Sequence, residues 1–272
     1  MTAVAVLHPA AIAALNEPAP ISGAFQDAWS VAKRNLIGLV RTPTTVMFST
    51  IQPIIFVLMF RYVFGGAISV PGVHYVDYLM AGIFVQTVTF GAMNTGVGLA
   101  TDLQTGIIER FRSLPMARSA VLAGRTIADL VRNLFVVALM VGMGFLVGFR
   151  VHTGVLPFAL AIVLLLLFGL AMSWLMALIG LRTGNAEAAQ AAAFPLMAPL
   201  VFASSAFVPT RAMPGWLQAY ANHQPVTATI NAVRALTIGG PTASKVVVAL
   251  AWMAGITVVF AYLAVNRYRR AA

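Results

Sequence analysis

The sequence predicts an all-α integral membrane protein with six transmembrane helices, an N-terminal amphipathic helix in the membrane interface and re-entrant helices on the outer side. Three observations predict this class. The chain of 272 residues is 60% hydrophobic but only 9% charged, its mean hydropathy is +0.91, and its apolar residues are gathered in long runs. A helix needs about 20 apolar residues to cross about 30 Å of hydrocarbon. So few charges could not cover the surface of a soluble domain of this length.

Six stretches are long and apolar enough to span the bilayer. Their approximate bounds are residues 44–67, 78–100, 122–148, 155–181, 188–208 and 245–266. Before the first span, residues 1–22 are expected to form a disordered cytoplasmic tail. Residues 24–41 are expected to form the interfacial helix, because large apolar residues recur there at helical spacing beside charged ones. Residues 23–272 together are predicted to form one transmembrane domain.

The connection between the last two spans, residues 209–244, is long and only partly polar. It contains two apolar patches at helical spacing, which are bracketed by proline and glycine. This pattern predicts two short amphipathic helices that dip into the outer leaflet, rather than a solvated loop.

The distribution of basic residues predicts the orientation in the membrane. Twelve of the seventeen Lys and Arg residues lie on the side of the N-terminus. The positive-inside rule therefore places both termini, and the connection between the second and third spans, in the cytoplasm. The net charge of +10 indicates contact with phospholipid headgroups rather than nucleic acid, because the basic residues stand at the ends of apolar spans. The five basic residues on the outer side are Arg61, Arg150, Arg211, Arg234 and Lys245.

Motifs for catalysis or nucleotide binding are absent from the sequence. There is no G-x-x-x-x-G-K-[ST] pattern for ATP, no G-x-S-x-G and no H-E-x-x-H. The four histidines are scattered, and the lack of cysteine excludes disulfides, thiol catalysis and thiolate metal sites. We therefore expect this chain to be no enzyme and to bind neither a metal nor a cofactor itself.

One acidic residue, Asp129, is predicted to lie within a span, whereas the others, such as Asp77 in the first outer loop, are placed outside. Carriers coupled to protons or sodium commonly need an intramembrane carboxylate. Arg125 precedes Asp129 by four residues and Arg132 follows it by three, on the same helix face. The spacing favours structural ion pairing of Asp129 with the two arginines over a proton relay by Asp129. The proton relay stays open as the alternative interpretation.

Uncharged polar residues inside the spans form a further group of candidates. Such side chains either bond to neighbouring helices or line a route for an amphipathic substrate. A pair of glycines, Gly144 and Gly148, is interpreted as a site of close helix packing. The candidates for the substrate route are Ser49, Gln52, Gln86, Asn94, Thr95, Ser204 and Ser205.

The connection between the second and third spans, "DLQTGIIERFRSLPMAR" at residues 102–118, is longer than a reversal of the chain requires. Gly106 is expected to end the helix that continues from the second span, and Pro115 to stop a short helix formed by "IIERFRSL". That helix would present charged residues on one side and apolar residues on the other, a shape that fits a groove on a soluble partner. The alternative is that its arginines only set the topology.

The longer segment "ATDLQTGIIERFRSLPMARSAVLAGRTIADLVR" resembles a motif of type-2 ABC transporter permeases, in particular the daunorubicin-resistance exporter group. The shared pattern is an acid, a glycine four residues on, an E-R-[FL]-R-S-L-P core, then an arginine and a G-R. The segments "RYVFGGAISVPGVHYVDYLMAGIFVQ" at 61–86 and "HQPVTATINAVRALTIGG" at 223–240 are similar to two further patches of that group. The resemblance covers nearly all of the chain beyond residue 25. A departure is Ala81, where many relatives have proline.

The resemblance implies an ATP-driven exporter in a bacterial cell membrane that moves hydrophobic or amphipathic molecules, drugs or lipids, out of the cytoplasm or inner leaflet. It implies two permease subunits, as a homodimer or heterodimer, and two separate ABC ATPase subunits, which bind ATP and magnesium. The family's coupling helix maps onto residues 106–115. The ATPase-coupling residues that it implies are Asp102, Gly106, Glu109, Arg110, Phe111, Arg112, Ser113, Leu114, Pro115 and Arg118.

Two other functions are weighed against this one. A secondary, ion-coupled carrier without an ATPase partner would be expected to carry an acid at mid-membrane, and no acid sits clearly there. A membrane-embedded enzyme or scaffold is the third possibility, and no motif for it was found.

Overall fold

The structure, a computed structural model, describes residue 33 and residues 43–66, 68, 70, 72–107 and 118–270. For residues 43–50, 118–125 and 269–270 it describes the backbone alone. The predicted cytoplasmic tail and interfacial helix lie outside these ranges, apart from residue 33. The α-helices with described bounds are α1 Pro43–Leu58, α2 Tyr75–Gly91, α3 Met93–Gln104, α4 Arg118–Val147, α5 Val155–Thr183, α6 Ala186–Phe202, α7 Gly215–Asn222, α8 Pro225–Thr237 and α9 Thr242–Arg270.

Four helical stretches in the described part of the chain are long and apolar enough to cross a membrane. They correspond to the second, third, fourth and sixth predicted spans, and they are Tyr75–Gln104, Thr126–Val147, Val155–Thr183 and Thr242–Tyr268. Ile51–Val63 and Ala186–Phe202 are apolar but shorter, and they take the places of the first and fifth predicted spans. The architecture is that of a multi-pass, all-helical membrane protein.

Large apolar side chains are exposed on the outer faces of α5 and α9. Val155 is 86% exposed, Val258 69% and Tyr262 67%. A soluble monomer rarely exposes a continuous apolar face of this kind. In a bilayer the same side chains lie against acyl chains of matching polarity. These exposed faces therefore agree with the spans assigned to α5 and α9.

α2 lies at the centre of the helix bundle, buried continuously from Tyr75 to Thr89. It packs against α1, α4, α5, α6 and α8. Its Gly82 lies directly against the backbone after α6, because an added Cβ would come within 2.1 Å of Ala206 O. No side chain fits at position 82 unless one of these two segments moves.

α3 and α5 also meet backbone to backbone. A Cβ added to Gly180 would lie 2.2 Å from Gly96 O. By contrast, a Cβ on Gly144 would meet the flexible end of the Met80 side chain at 2.9 Å, and one on Gly148 would meet nothing within 4 Å. The closest helix packing therefore occurs at Gly96 and Gly180 rather than at the glycine pair singled out from the sequence.

α6 ends at Phe202, before the predicted end of the fifth span at residue 208. The six residues that follow do not form a helix, and distant side chains satisfy their backbone. Gln224 Nε2 donates to Ala203 O at 2.6 Å, and the Tyr75 hydroxyl donates to Phe207 O at 3.2 Å. Non-helical backbone is tolerated within a membrane where surrounding protein supplies such partners.

α1 continues beyond Leu58 as a π-helical turn, Met59–Val63. The Phe60 ring of this turn stacks on Phe207, with ring centroids 4.3 Å apart and an interplanar angle of 11°. Offset-stacked aromatic pairs contribute beyond the area that they bury. The contact ties the first helix to the segment that follows α6.

The connection between α6 and α9 forms two short helices, α7 and α8, in the region where the sequence predicts them. Trp216 of α7 is 75% exposed, whereas Ile230 and Val233 of α8 are fully buried. The apolar face of α8 is therefore directed into the protein core. Of the two predicted apolar patches, the one on α7 that contains Trp216 is therefore exposed to lipid, and the one on α8 is not.

Candidate functional site

A cavity of about 490 Å³ lies between α1, α2, α3, α4 and α6. Its volume is within the range of pockets that bind drug-sized molecules, roughly 300–1,000 Å³. Its apolar lining residues include Phe90, Val136 and Phe194. The polar side chains that line it include Gln52, Gln86, Asn94, Arg132, Asn133 and Gln190.

The cavity lies beside the junction of α2 and α3, which are separated by Ala92 alone. The carbonyl of Gly91, the last residue of α2, accepts a hydrogen bond from Arg132 Nη2 at 2.6 Å. It also accepts a longer bond from Asn94 Nδ2 at 3.3 Å. Charge-assisted hydrogen bonds of this kind are among the stronger ones in proteins. The junction is thus anchored to α4 through the Arg132 guanidinium.

Asp129, one turn before Arg132 on α4, forms an ion pair with the same guanidinium. Its Oδ1 is 3.5 Å from Arg132 Nη2, and its Oδ2 accepts a hydrogen bond from Thr95 Oγ1 at 2.5 Å. The same hydroxyl lies 3.2 Å from Ser173 Oγ. The carboxylate is therefore both paired and hydrogen-bonded, as a buried charge requires. The side chain of Arg125 is outside the described part of the chain, so its share in the ion pair stays a prediction.

Two buried amides at the cavity have an unsatisfied atom. Gln86 is 2% exposed and Asn133 3%, yet Gln86 Oε1 and Asn133 Nδ2 have no hydrogen-bond partner. Most buried polar side-chain atoms in native proteins are hydrogen-bonded. Both atoms are themselves buried, so each leaves an uncompensated desolvation cost in the packing around the cavity.

Two of the aromatic rings that line the cavity, from α2 and α6, contact each other. The rings of Phe90 and Phe194 stack with centroids 6.3 Å apart and an interplanar angle of 16°. Phe90 also lies 6.4 Å from the Phe202 ring at the end of α6. The cavity lining thus contains both aromatic rings and amide side chains, which suits a molecule that is itself amphipathic.

Only some of the residues predicted to line a substrate route lie at the cavity. Gln52, Gln86 and Asn94 line the cavity together, whereas Thr95 is bonded to Asp129. The side chain of Ser49 lies outside the described side chains. Ser205 instead bonds to Arg234 of α8, and the Ser204 hydroxyl donates to Val201 O at the end of α6.

Sequence reasoning missed most residues of the cavity wall, among them Asn133 and Phe194, and did not place Arg132 there. A signal for Asn133 was present, because it follows Asp129 by four residues and so lies on the same helix face. No comparable signal marks Phe194, since an apolar residue in a span is equally expected to face lipid.

The second polar cluster is built around Arg234 of α8. Its Nη2 donates to Ser205 O at 2.6 Å and to Tyr78 O at 3.1 Å, and its Nη1 donates to Ser205 Oγ at 3.1 Å. The guanidinium also stacks on the Tyr78 ring, with its carbon 3.4 Å from the ring centroid. One side chain thus joins α8, the start of α2 and the segment after α6. The sequence suggested only a topological role for Arg234.

The Arg234 guanidinium is fully enclosed by protein. Burial lowers the pKa of Arg234 to about 10, and the neighbouring Tyr78 acts in the opposite direction. This pKa still lies well above neutral pH, so the group stays protonated. The cluster therefore contains a buried cation whose hydrogen bonds go mostly to backbone carbonyls, which a fork of five N–H donors is suited to satisfy.

Asp77 is also placed differently from the expectation of an outer loop. It lies in the first turn of α2 and is 2% exposed. Its Oδ1 accepts a hydrogen bond from the Arg150 backbone N–H at 2.8 Å, and its Oδ2 lies 2.9 Å from His152 Nε2. The backbone N–H of His152 in turn donates to Thr237 O at 2.8 Å. The carboxylate thereby holds the connection between α4 and α5 against α2 and the end of α8.

The predicted coupling segment is only partly described. α3 ends at Gln104, and Gly106 has a φ of +69°, a left-handed conformation that favours glycine. Asp102 belongs to the last turn of α3, and Arg118 begins α4 with its side chain outside the description. Glu109, Arg110, Phe111, Arg112, Ser113, Leu114 and Pro115 lie outside the described residues. The coupling role of the whole set stays a prediction.

Comparison with known proteins identifies the family. Residues 26–238 match the model of the ABC-2 type transporter family. The daunorubicin resistance ABC transporter permease protein DrrB1 of Streptomyces coeruleorubidus is 34% identical over 236 residues, which cover 87% of this chain and 83% of the relative. The probable doxorubicin resistance ABC transporter permease protein DrrC of Mycobacterium tuberculosis is 30% identical over 246 residues, 88% and 87% of the two chains.

A more distant relative is the putative transport permease ycf38 of Cyanophora paradoxa, 28% identical over 219 residues, which cover 78% of this chain and 74% of the relative. The family match and both drug-resistance relatives extend over most of the chain. An ABC family implies a partner that hydrolyses ATP, so the alternative of an ion-coupled secondary carrier is excluded. The chain is a membrane permease that belongs to the ABC-2 type transporter family.

Proposed function

We propose that the chain is the permease subunit of a bacterial exporter that moves hydrophobic or amphipathic drugs or lipids out of the cytoplasm or inner leaflet. The family match over residues 26–238 carries this proposal. The names of the two drug-resistance relatives support a drug-like cargo, and the lack of a nucleotide-binding motif in this sequence supports a separate ATPase. Two permease subunits, identical or related, would work with two ATPase subunits that bind ATP and magnesium.

The membrane arrangement that we propose has six spans and both termini in the cytoplasm. α1 and α6 provide the first and fifth spans, and α7 and α8 form the re-entrant pair in the outer leaflet. The tail at residues 1–22 and the interfacial helix at residues 24–41 precede the spans. The excess of basic residues on the side of the N-terminus supports this orientation.

Coupling to the ATPase is assigned to residues 106–115. The left-handed turn at Gly106 ends the cytoplasmic extension of the second span, and the "IIERFRSL" segment after it would insert into a groove of the ATPase. Closure of the two ATPase subunits on ATP would draw the coupling helices together. α3 leads into this segment and follows α2 after Ala92 alone, so the movement would reach the part of the cavity that these two helices line.

The substrate route would pass through the cavity between α1, α2, α3, α4 and α6. The aromatic and amide side chains in its lining support a cargo with an apolar body and polar substituents. A reorientation of the first, second and fifth spans would open the cavity alternately to the two sides of the membrane, at the interface between the two permease subunits.

The test is copurification of the full chain with a candidate ABC ATPase subunit from the same organism, followed by transport and ATP hydrolysis in proteoliposomes. Phe111→Ala would remove an apolar contact and Arg112→Glu would reverse a charge in the coupling helix. We expect each to lower complex recovery or substrate-stimulated ATP hydrolysis by at least about 10-fold, because buried anchors dominate an interface.

Arg211→Glu is the matched control. It makes the same charge reversal at an exposed position of the outer connection, where no ATPase contact is expected. Full complex formation and coupled hydrolysis in both Phe111→Ala and Arg112→Glu would contradict the coupling assignment, and so would an equal loss in Arg211→Glu.

A further inference from the structure

We propose that Thr95 of α3, Asp129 of α4 and Ser173 of α5 form a pivot, and that Thr95 is the positioning residue through which the coupling segment moves the cavity lining. The inference rests on the proposed function, because it takes residues 106–115 as the segment that the ATPase displaces. Neither the family match nor the names of the relatives assign a role to these three side chains.

The pivot is a buried hydrogen-bond cluster that joins three helices at one level. The Thr95 hydroxyl donates to Asp129 Oδ2 at 2.5 Å and lies 3.2 Å from Ser173 Oγ. Thr95 is 3% exposed, Asp129 9% and Ser173 3%. A hydrogen bond to a buried charged group is costly to lose, because the group is then left desolvated and underbonded. The three side chains are therefore held together rather than exchanged for water.

α3 also meets α5 through its backbone at this level. Gly96 follows Thr95 directly, and a Cβ added to Gly96 would lie 2.6 Å from Met176 O. The absence of a side chain at position 96 lets the two helices approach this closely. The position of α3 against α5 is thus set at residues 95 and 96 by a backbone contact and by a pair of hydroxyl groups.

The pivot lies at nearly the same distance from the coupling segment along both helices that flank it. From Thr95, α3 continues to Gln104, and α4 begins at Arg118 and continues to Asp129. At 1.5 Å per residue these arms are about 14 and 17 Å long. Two stiff arms that share the coupling segment at one end and a hydrogen bond at the other form a triangle. A displacement of the coupling segment therefore turns both arms about the pivot.

The contacts of α3 between the pivot and Gln104 permit such a turn. α3 meets α5 and α9 there through an apolar cluster that includes Leu99, Leu178 and Leu181. Apolar contacts are not directional, and small sliding of packed helices is a common form of conformational change. The α3 arm is therefore able to shift while the directional bonds of the pivot stay in place.

On the other side of the pivot, α4 contributes to the lining of the cavity. Val136 is one of these lining residues, and it lies seven residues, or about 10 Å, beyond Asp129. A stiff α4 that turns about Asp129 would move Val136 by about three fifths of the displacement at Arg118, in the opposite direction. Without the Thr95 hydroxyl, α4 loses its bond to α3 at the pivot, and the movement would reach the cavity only weakly.

The experiment follows both sides of the pivot in the complex of the full chain with a candidate ABC ATPase subunit, reconstituted in proteoliposomes. Because the chain has no native cysteine, Thr101→Cys on the α3 arm and Leu139→Cys on the far side of α4 each provide one site for an environment-sensitive fluorophore. Both positions are exposed. The fluorescence change on addition of ATP and vanadate, which trap the closed ATPase, reports the movement at each site and requires no transported molecule.

Three substitutions separate the Thr95 hydroxyl from the volume of its side chain. Thr95→Val keeps the shape and removes the hydroxyl, whereas Thr95→Ser keeps the hydroxyl. Thr89→Val is the matched control, because the buried Thr89 hydroxyl bonds to Val85 O of its own helix at 2.6 Å. Each is combined with each fluorophore site, and complex recovery and ATP hydrolysis are measured beside the fluorescence.

We expect Thr95→Val to reduce the fluorescence change at Leu139→Cys by at least about 3-fold, the effect of roughly one lost hydrogen bond. The change at Thr101→Cys should stay within about 1.5-fold, and so should ATP hydrolysis, because the ATPase still displaces the coupling segment. Thr95→Ser and Thr89→Val should keep the response at both sites. A merely structural role of Thr95 would not separate the two sites in this way.

Two results would overturn the inference. One is an unchanged response at Leu139→Cys in Thr95→Val. The other is an equal loss at both sites, or an equal loss in Thr89→Val, which would assign Thr95 to packing. Failure of the unaltered complex to assemble, or a lack of any ATP response at Thr101→Cys, would instead contradict the proposed function on which the pivot depends.

Discussion

Replacement of Arg234 by methionine tests the account of the outer part of the bundle. The guanidinium bridges α8, the first turns of α2 and the backbone after α6, through bonds to the carbonyls of Tyr78 and Ser205. Methionine has a similar length but no donors. Ser205 O would keep its bond from the Tyr78 hydroxyl, and Tyr78 O lies within a helix, so neither carbonyl is left wholly without a partner.

The magnitude follows from the contacts that disappear. Three charge-assisted hydrogen bonds, to Tyr78 O, Ser205 O and Ser205 Oγ, contribute about 1.5 kcal/mol each at the lower end of their range, and a desolvated cation–π contact about 2 kcal/mol. Release of the buried charge offsets about half of this loss. We therefore expect Arg234→Met to lower the free energy of unfolding by about 3 kcal/mol. Arg234→Lys should cost at least as much, because a buried ammonium remains while the fork of donors is lost.

The assay is reversible unfolding of the purified chain in mixed micelles, followed by tryptophan fluorescence. Arg211→Met is the control, since Arg211 is exposed in the same outer connection and surface changes usually stay within about 0.5 kcal/mol. If Arg234→Met and Arg234→Lys both unfold within about 0.5 kcal/mol of the original chain, the cluster does not hold these segments together.

The remaining predictions concern the inner part of the bundle. Gly180→Ala should destabilise the chain by about 1–3 kcal/mol, because its Cβ would lie 2.2 Å from Gly96 O. The control Gly255→Ala has open space around the added methyl group and should leave the stability unchanged. Equal unfolding midpoints for the two variants would contradict the close approach of α3 and α5. Asp129→Asn should destabilise by about 2–4 kcal/mol through loss of the carboxylate beside Arg132, yet transport should keep its pH profile. A pH profile flattened by Asp129→Asn would identify a proton relay instead.

Much of the architecture is encoded locally and was predictable from the sequence. Apolar runs of membrane-spanning length mark the second, third, fourth and sixth spans, and these helices are observed. Gly106 was expected to interrupt the helix before the coupling segment, and its positive φ agrees. Pro225 stands at the start of α8, where a residue without an N–H is tolerated. Each of these features depends on neighbours within a few residues.

The features that were missed depend on residues far apart in the chain. α6 ends at Phe202 because Gln224, Arg234 and two tyrosines of α2 satisfy the carbonyls that follow it. Composition alone would extend the helix to residue 208. Arg234 was likewise interpreted only as a basic residue that sets the membrane orientation, because the distant residues that enclose it cannot be identified from the local sequence.

The candidate site was predictable only in part. A polar residue within a span either bonds to another helix or faces a cavity, and the sequence does not decide between them. Gln52, Gln86 and Asn94 line the cavity, whereas Ser205 bonds to Arg234. The division depends on which faces of α2 and α6 meet, and that is set by close contacts such as Gly82 against Ala206.

The central claim is that residues 106–115 face the cytoplasm and bind the ATPase. Because the chain has no native cysteine, Arg112→Cys provides a unique thiol for labelling with a membrane-impermeant maleimide. We predict no labelling in intact cells, full labelling in inverted vesicles stripped of ATPase, and protection when the ATPase is added back. Labelling of Arg112→Cys in intact cells would contradict the orientation, and labelling that the bound ATPase leaves unchanged would contradict the coupling contact.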